Sequence, residues 1–353
     1  APAWGRLGDR WGRKKMVIRA LLGLSATLLL MGLVRTPGQF LLVRLFQGAF
    51  GGVVDAGAAF VGSQAPEDVR GKVFGKLEGA VAGGSLFGPL VGGLLVDVVG
   101  FRPVLLLMGG LTALLPLAAA WLLHEDREPE RAETQIVPAA GRTTLATAKG
   151  LFLHPKTGVF LVAGLCVNLG VYGLVTVFAP FVERVAGDPR MGAGAATWVG
   201  VLQAVTWGSA WIGSSWWGKR NDRAPVELNF FWAALACGAA IMLQSVATQI
   251  GWIVALRVVQ GFCFSALLQS VFLVVSNASA EHDRGFRMGL TSSILVIGQI
   301  GGGLGAAWAG RFAPVEFVIA ATGMALVVAA LAIKVARPAA PRVAYRQLGE
   351  EQR

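Results

Sequence analysis

Arg44 stands inside a long apolar run and is followed at helical spacing by Gln47, Gly48, Gly51, Gly52 and Asp55. On a helix these positions fall at i, i+3, i+4, i+7, i+8 and i+11 and share one face. A guanidinium and a carboxyl on one narrow polar stripe are the ingredients of a proton route. Burial disfavours the charged carboxylate and raises its pKa, so it can take up and release a proton near neutral pH. The two groups lie about 16 Å apart along a continuous helix, too far to pair directly. Glu78, about one turn into the next apolar run, is a third candidate for the same work. The bland alternatives are a structural acid at Asp55 and an interfacial Glu78 paired with Lys72 or Lys76.

These groups need a scaffold. Of 353 residues, 55% are hydrophobic and only 14% charged, against roughly 25% charged in soluble domains. Ten apolar stretches approach the roughly 20 residues that cross a bilayer as helix. They are expected at 16–34, 40–63, 76–99, 103–123, 157–182, 194–217, 227–248, 250–277, 288–310 and 314–335. The fold class expected is an all-α polytopic membrane protein.

The net charge of +11 would fit a nucleic-acid partner, but its distribution excludes one. Of 31 basic residues, 24 lie in the chain ends, the segment 124–156 and alternate loops, which is the pattern that orients membrane proteins. Both ends and the middle segment are therefore expected in the cytoplasm. No secretory signal is read. Residues 124–156 form a charged, Pro-containing linker with a short interfacial helix near 143–153. Residues 336–353 form a tail.

Internal repeats organise the rest. Gly5-x-x-x-Asp9-Arg10 recurs as Gly218-x-x-x-Asp222-Arg223, and Arg44-x-x-Gln47-Gly48 recurs as Arg257-x-x-Gln260-Gly261, each 213 residues on. Arg70-Gly71-x-x-x-Gly75 recurs as Arg284-Gly285-x-x-x-Gly289, 214 residues on. Parallel repeats of six spans imply two bundles, 1–123 and 157–335. The first holds four spans and the second six, so two helices of the first repeat are expected to be absent. The repeat partner of Asp55 is Leu268, which confines that acid to the first half. Arg257 has no acid on its own face, and a structural role is expected for it.

With these motifs in view, the sequence resembles the major facilitator superfamily, in its twelve-span drug:proton antiporter branch, without the family's first two helices. The resemblance runs from residue 1 to about 335. It is carried by Gly5-Arg6-Leu7-Gly8-Asp9-Arg10-Trp11-Gly12-Arg13-Lys14, by Arg44-Leu45-Phe46-Gln47-Gly48, and by Gly84-Ser85-Leu86-Phe87-Gly88-Pro89-Leu90-Val91-Gly92-Gly93. The resemblance implies that Gly5, Asp9, Arg10, Gly12, Arg13 and Arg70 form a cytoplasmic latch. In it Asp9 faces a helix N-terminus, which carries about half a positive charge. The third motif favours export over uptake.

Gly84, Gly88 and Gly92 at four-residue spacing, with Gly93 beside them, predict a flat face that lets a neighbouring helix approach. Pro89 removes a backbone hydrogen bond and permits a kink. Together they are the candidate hinge, against the span 194–217. Asp97, at the outer end, is expected to be solvated. Gln47, Asn168, Tyr172, Gln203, Trp207, Gln260, Phe264 and Gln299 are the candidate cavity lining, suited to apolar or cationic aromatic solutes.

His124, His154 and His282 lie far apart, and Cys166, Cys237 and Cys263 sit singly in apolar runs. Neither set has catalytic or metal-ligand spacing, and no phosphate-binding loop is found. The expectation is no enzyme, no cofactor and no metal. It is instead a monomeric secondary transporter in the plasma or inner membrane, whose partners are lipid, protons and a small molecule. Nutrient uptake or facilitated diffusion, and a truncated non-transporting protein, are the alternatives.

Overall fold

The computed structural model describes residues 12–50, 52–64, 67–123, 144–186, 194–279 and 284–335. Among them there are twelve helices and no strand. They are α1 Arg13–Leu33, α2 Pro37–Phe50, α3 Val53–Gln64, α4 Glu67–Val99, α5 Phe101–Leu122 and α6 Thr144–Leu153, then α7 Pro155–Ala186, α8 Ala195–Asn221, α9 Val226–Gln244, α10 Ile250–Asn277, α11 Arg284–Ala309 and α12 Val315–Val335. Eight are long and apolar enough to cross a membrane: α1, residues Gly79–Val99 of α4, α5, α7, α9, α10, residues Arg287–Ala309 of α11, and α12.

An all-helical chain is what lipid demands, because each backbone amide must be satisfied within its own segment. Two expected spans differ from the ten-span reading. The segment 40–63 is not one helix, since Gly52 takes φ of 92° and separates α2 from α3. A backbone turned that way suits only a residue without a side chain. The segment 194–217 is helical as α8, but falls outside the set apolar enough to span. The short helix expected near 143–153 is present as α6.

The chain divides into two compact units, residues 1–140 with 186–204, and residues 141–185 with 205–353. In the first, α1 packs chiefly on α5. Gly32 lies against Leu106, and Gly109 lies against Leu29, so closely that an added methyl group would have to displace them. In the second, α9 packs on α12 and α10. Gly238 faces the Gly323 carbonyl and Gly323 faces the Gly238 carbonyl. Small residues at such crossings let dispersion forces hold helices together where lipid offers no hydrophobic gain.

Candidate functional site

The polar stripe of the first unit is interrupted. Arg44 lies on α2, which has no buried residue, and Asp55 lies on α3 beyond the break at Gly52. The continuous face that would have joined them is not formed, because the helix that carries it ends at Phe50. Arg44 instead donates from Nη1 to Gln47 Oε1 at 2.8 Å. Its guanidinium lies 5.3 Å from the centre of the Phe40 ring. Both partners belong to its own helix, and Gly48 on the same turn faces open space. Glu78 lies on α4, as expected from the apolar run that holds it, and Arg70, expected in the loop before that run, lies on the first turn of the same helix.

Gly5, Asp9 and Arg10 of the expected latch lie outside the described residues. Gly12 is described, with φ of 93° at the entry to α1, and Arg13 is the first residue of that helix. The left-handed backbone at Gly12 is the sharp turn for which a glycine is required.

The glycine face of α4 is used in a different register from the one expected. Gly84, Gly88 and Gly92 have open space where a side chain would go. The close approach falls instead on Pro89, Gly93 and Asp97, which recur every four residues. Gly93 abuts the Ala196 carbonyl, and the Pro89 carbonyl abuts Gly200. Asp97 completes the line by capping α8. Its Oδ1 accepts from Ala196 N at 3.2 Å and its Oδ2 from Thr197 N at 2.6 Å. The first amides of a helix have no internal partner and form the positive end of its dipole, so a carboxylate there is doubly favoured. Asp97 was expected only to meet solvent. Its spacing of four from Gly93 was the signal that could have placed it on the packed line.

The expected cavity residues separate into three groups. Asn168 and Gln299 are brought together across α7 and α11: Gln299 Nε2 donates to Asn168 Oδ1 at 3.3 Å. Asn168 also donates from Nδ2 to the Gly164 carbonyl at 2.9 Å, and only 1% of it is exposed. Tyr172 and Trp207 are exposed, while Gln203 and Phe264 are half-buried. Gln260 does not line an open surface. It is buried between α9 and α10, where its Oε1 accepts from Gln244 Nε2 at 2.9 Å. Helical spacing placed Gln260 on a face with Phe264, but could not tell whether that face meets a cavity or another helix.

A cleft of about 510 Å³ opens between α1 and α2, lined by residues that include Lys15, Arg19, Leu22, Thr27, Phe46 and Phe50. It is almost wholly apolar apart from its two basic residues, and of a size that takes small organic molecules. Sequence reasoning missed it because its walls come from two helices whose crossing is set by Gly23 against Phe50.

Among the described residues no group of three or more His, Cys, Asp or Glu side chains could hold a metal ion. Two ion pairs are described. Lys156 pairs with Glu227 at 2.6 Å and Arg184 with Glu316 at 3.2 Å. Both tie helix ends of the second unit together and neither reaches the buried polar groups.

Residues 1–243 match the model of a family described as the Major Facilitator Superfamily. The chain is 39% identical over 310 residues to the staphyloferrin B transporter of Staphylococcus aureus, strain NCTC 8325 / PS 47, covering 87% of this chain and 72% of that protein. It is 29% identical over 305 residues to the multidrug resistance protein MdtG of Dickeya zeae, strain Ech586, covering 86% and 72%. In fold it is similar to the crystal structure of the nucleoside transporter NupG, with a TM-score of 0.78 at 16% identity, covering 95% of this chain and 85% of that one. It is also similar to a bacterial homologue of the human lysosomal transporter Spinster, with a TM-score of 0.66 at 19% identity, covering 91% and 81%.

Proposed function

Because this chain belongs to the Major Facilitator Superfamily, we propose that it is a secondary exporter that moves small, lipophilic compounds outward, driven by proton entry through alternating access. The observation that carries the reading is the line Pro89, Gly93 and Asp97 of α4 against residues 194–200. A contact made where glycines meet backbone carbonyls and one carboxylate caps a helix can part and re-form at small cost. It is also the segment whose motif favours export. The names of the relatives, one a transporter of staphyloferrin B and others multidrug resistance proteins, support a small-molecule cargo.

In this reading Arg44, Asp55 and Glu78 carry the proton. Gly5, Asp9, Arg10, Gly12, Arg13 and Arg70 latch the cytoplasmic side. Pro89, Gly93 and Asp97 line the moving face, and Gly84, Gly88 and Gly92 face open space beside it. Gln47, Asn168, Tyr172, Gln203, Trp207, Phe264 and Gln299 meet the substrate. The protein works as a monomer in the plasma or inner membrane with both ends cytoplasmic, and residues 124–156 link its halves.

The test is efflux of a lipophilic fluorescent dye from vesicles holding the purified protein, with an imposed pH gradient. Export that follows the gradient and collapses with a protonophore is the expected result, and Asp55→Asn should abolish it. Dye movement indifferent to the gradient would refute proton coupling. Inward accumulation would refute the direction.

A further inference from the structure

Arg257, on α10, is 2% exposed. Its guanidinium carbon lies 3.5 Å from the centre of the Phe178 ring on α7. That stack satisfies one flat face of the cation. It does nothing for the N–H donors, which point outward in the plane. Two of them, on Nε and Nη2, are buried without a hydrogen-bond partner.

Nε–H and one Nη2–H lie parallel along the same edge of the planar guanidinium. This is the edge that receives a carboxylate through two parallel hydrogen bonds. Among the described residues no carboxylate pairs with it, and the two ion pairs described in this unit involve Arg184 and Lys156. Gln260, one turn along α10, is bonded to Gln244, whose own Oε1 has no partner. A charge held in the interior of a membrane bundle is costly, and a leucine would fill the same space without unpaired donors. The Phe178 stack fixes the plane of the guanidinium and so aims the unclaimed edge.

We propose that Arg257 anchors a carboxylate of the transported compound, so that the substrate class is a small organic acid. The proposal rests on the reading of the chain as a transporter, but not on proton coupling or on direction. Phe178 covers one face of the cation and holds its plane while the edge takes the carboxylate. This departs from the apolar or cationic cargo that the exposed aromatic residues suggest, and it assigns a binding role to an arginine for which a structural one was expected.

The experiment is ligand-dependent thermal stabilisation of the full chain in detergent, at constant ionic strength. The probes are acetate, succinate, citrate and benzoate, each beside its uncharged amide, with inorganic phosphate as a further arm. At least one carboxylate should stabilise the chain while its amide does not. Arg257→Gln should weaken that binding ~10- to 100-fold, the worth of one or two charged hydrogen bonds. Arg257→Lys keeps the charge but not the edge and should give only part of the affinity. Phe178→Leu keeps the charged edge but not the stack that aims it, and should weaken binding less than Arg257→Gln does. Stabilisation by no carboxylate, by acid and amide alike, by phosphate as well as by carboxylate, or equally in Arg257→Gln would overturn the proposal. If neither arginine variant folds, the acid-against-amide comparison on the unaltered chain decides. Dye efflux that is proton-driven beside absent carboxylate binding refutes this inference alone. Carboxylate binding without gradient-dependent efflux refutes only the exporter reading.

Discussion

Helices α2 and α10 carry the same Arg-x-x-Gln-Gly motif at matching places in the repeat, and they live in opposite surroundings. On α2 no residue is buried, and Arg44 satisfies itself with Phe40 and Gln47 of its own helix. On α10 the Arg, Gln and Gly of the motif are buried, and each meets another helix. Arg257 stacks on Phe178 of α7, Gln260 bonds Gln244 of α9, and Gly261 lies against the Thr206 carbonyl of α8. The motif thus fixes a polar, small-residue face, while the neighbour that meets that face decides whether it is an exposed stripe or a packed, charged interior.

The two helices should answer differently to the same substitutions. The largest contrast is expected at the glycines. Gly261→Ala places a methyl group into the Thr206 carbonyl and Ser209 hydroxyl, and overpacking of this kind costs about 1–3 kcal/mol. A drop in detergent unfolding temperature checks it, and no drop would mean that α8 and α10 are not held at this distance. Next are the glutamines. Gln260→Leu removes one of the two acceptors of the buried Gln244 amide, leaving only the Ala240 carbonyl, at a cost of about 1–3 kcal/mol for the N–H left unpaired. Gln47→Leu on α2 should leave the unfolding temperature nearly unchanged, and an equal loss at both would erase the distinction. Smaller and opposite in sign is Gly48→Ala, which meets open space and should gain about 0.5–1 kcal/mol by helix propensity. The least change in stability is expected for Arg44→Gln, whose partners are intrahelical. Its effect should appear in gradient-driven efflux and not in unfolding, and the reverse result would make Arg44 a packing residue.

Much of this architecture was legible in the chain. Apolar runs placed most of the helices to within a few residues, because a span has to be long and apolar whatever its neighbours are, whereas α4 starts at Glu67, well before the expected 76, and the run 40–63 is split. The repeat offset paired Arg44 with Arg257 and Gly48 with Gly261 before any packing was known. The stripe from Arg44 to Asp55 failed at one backbone angle. Gly52 can take a left-handed φ that no apolar pattern records, and the helix stops there. The hinge face failed by one position: Gly92 and Gly93 are adjacent, and composition does not say which of them faces α8. Asp97 looked like a solvated end residue because its partners, the first amides of α8, lie about 100 residues away in sequence.

The sequence by itself determined that the chain is helical and membrane-embedded, that its halves repeat, and which faces are polar or small. Those properties follow from bilayer thickness and from backbone hydrogen bonding, which act locally. Only the tertiary structure decided which face meets which. It set Pro89, Gly93 and Asp97 against α8, buried Gln260 on Gln244, and left the edge of Arg257 aimed and unclaimed beneath Phe178. The physical reason is that lipid and protein interior are nearly equal hosts for an apolar side chain. Hydropathy therefore cannot distinguish a lipid-facing surface from a packed one, and the choice falls to close backbone approach and to the few polar groups that must find partners.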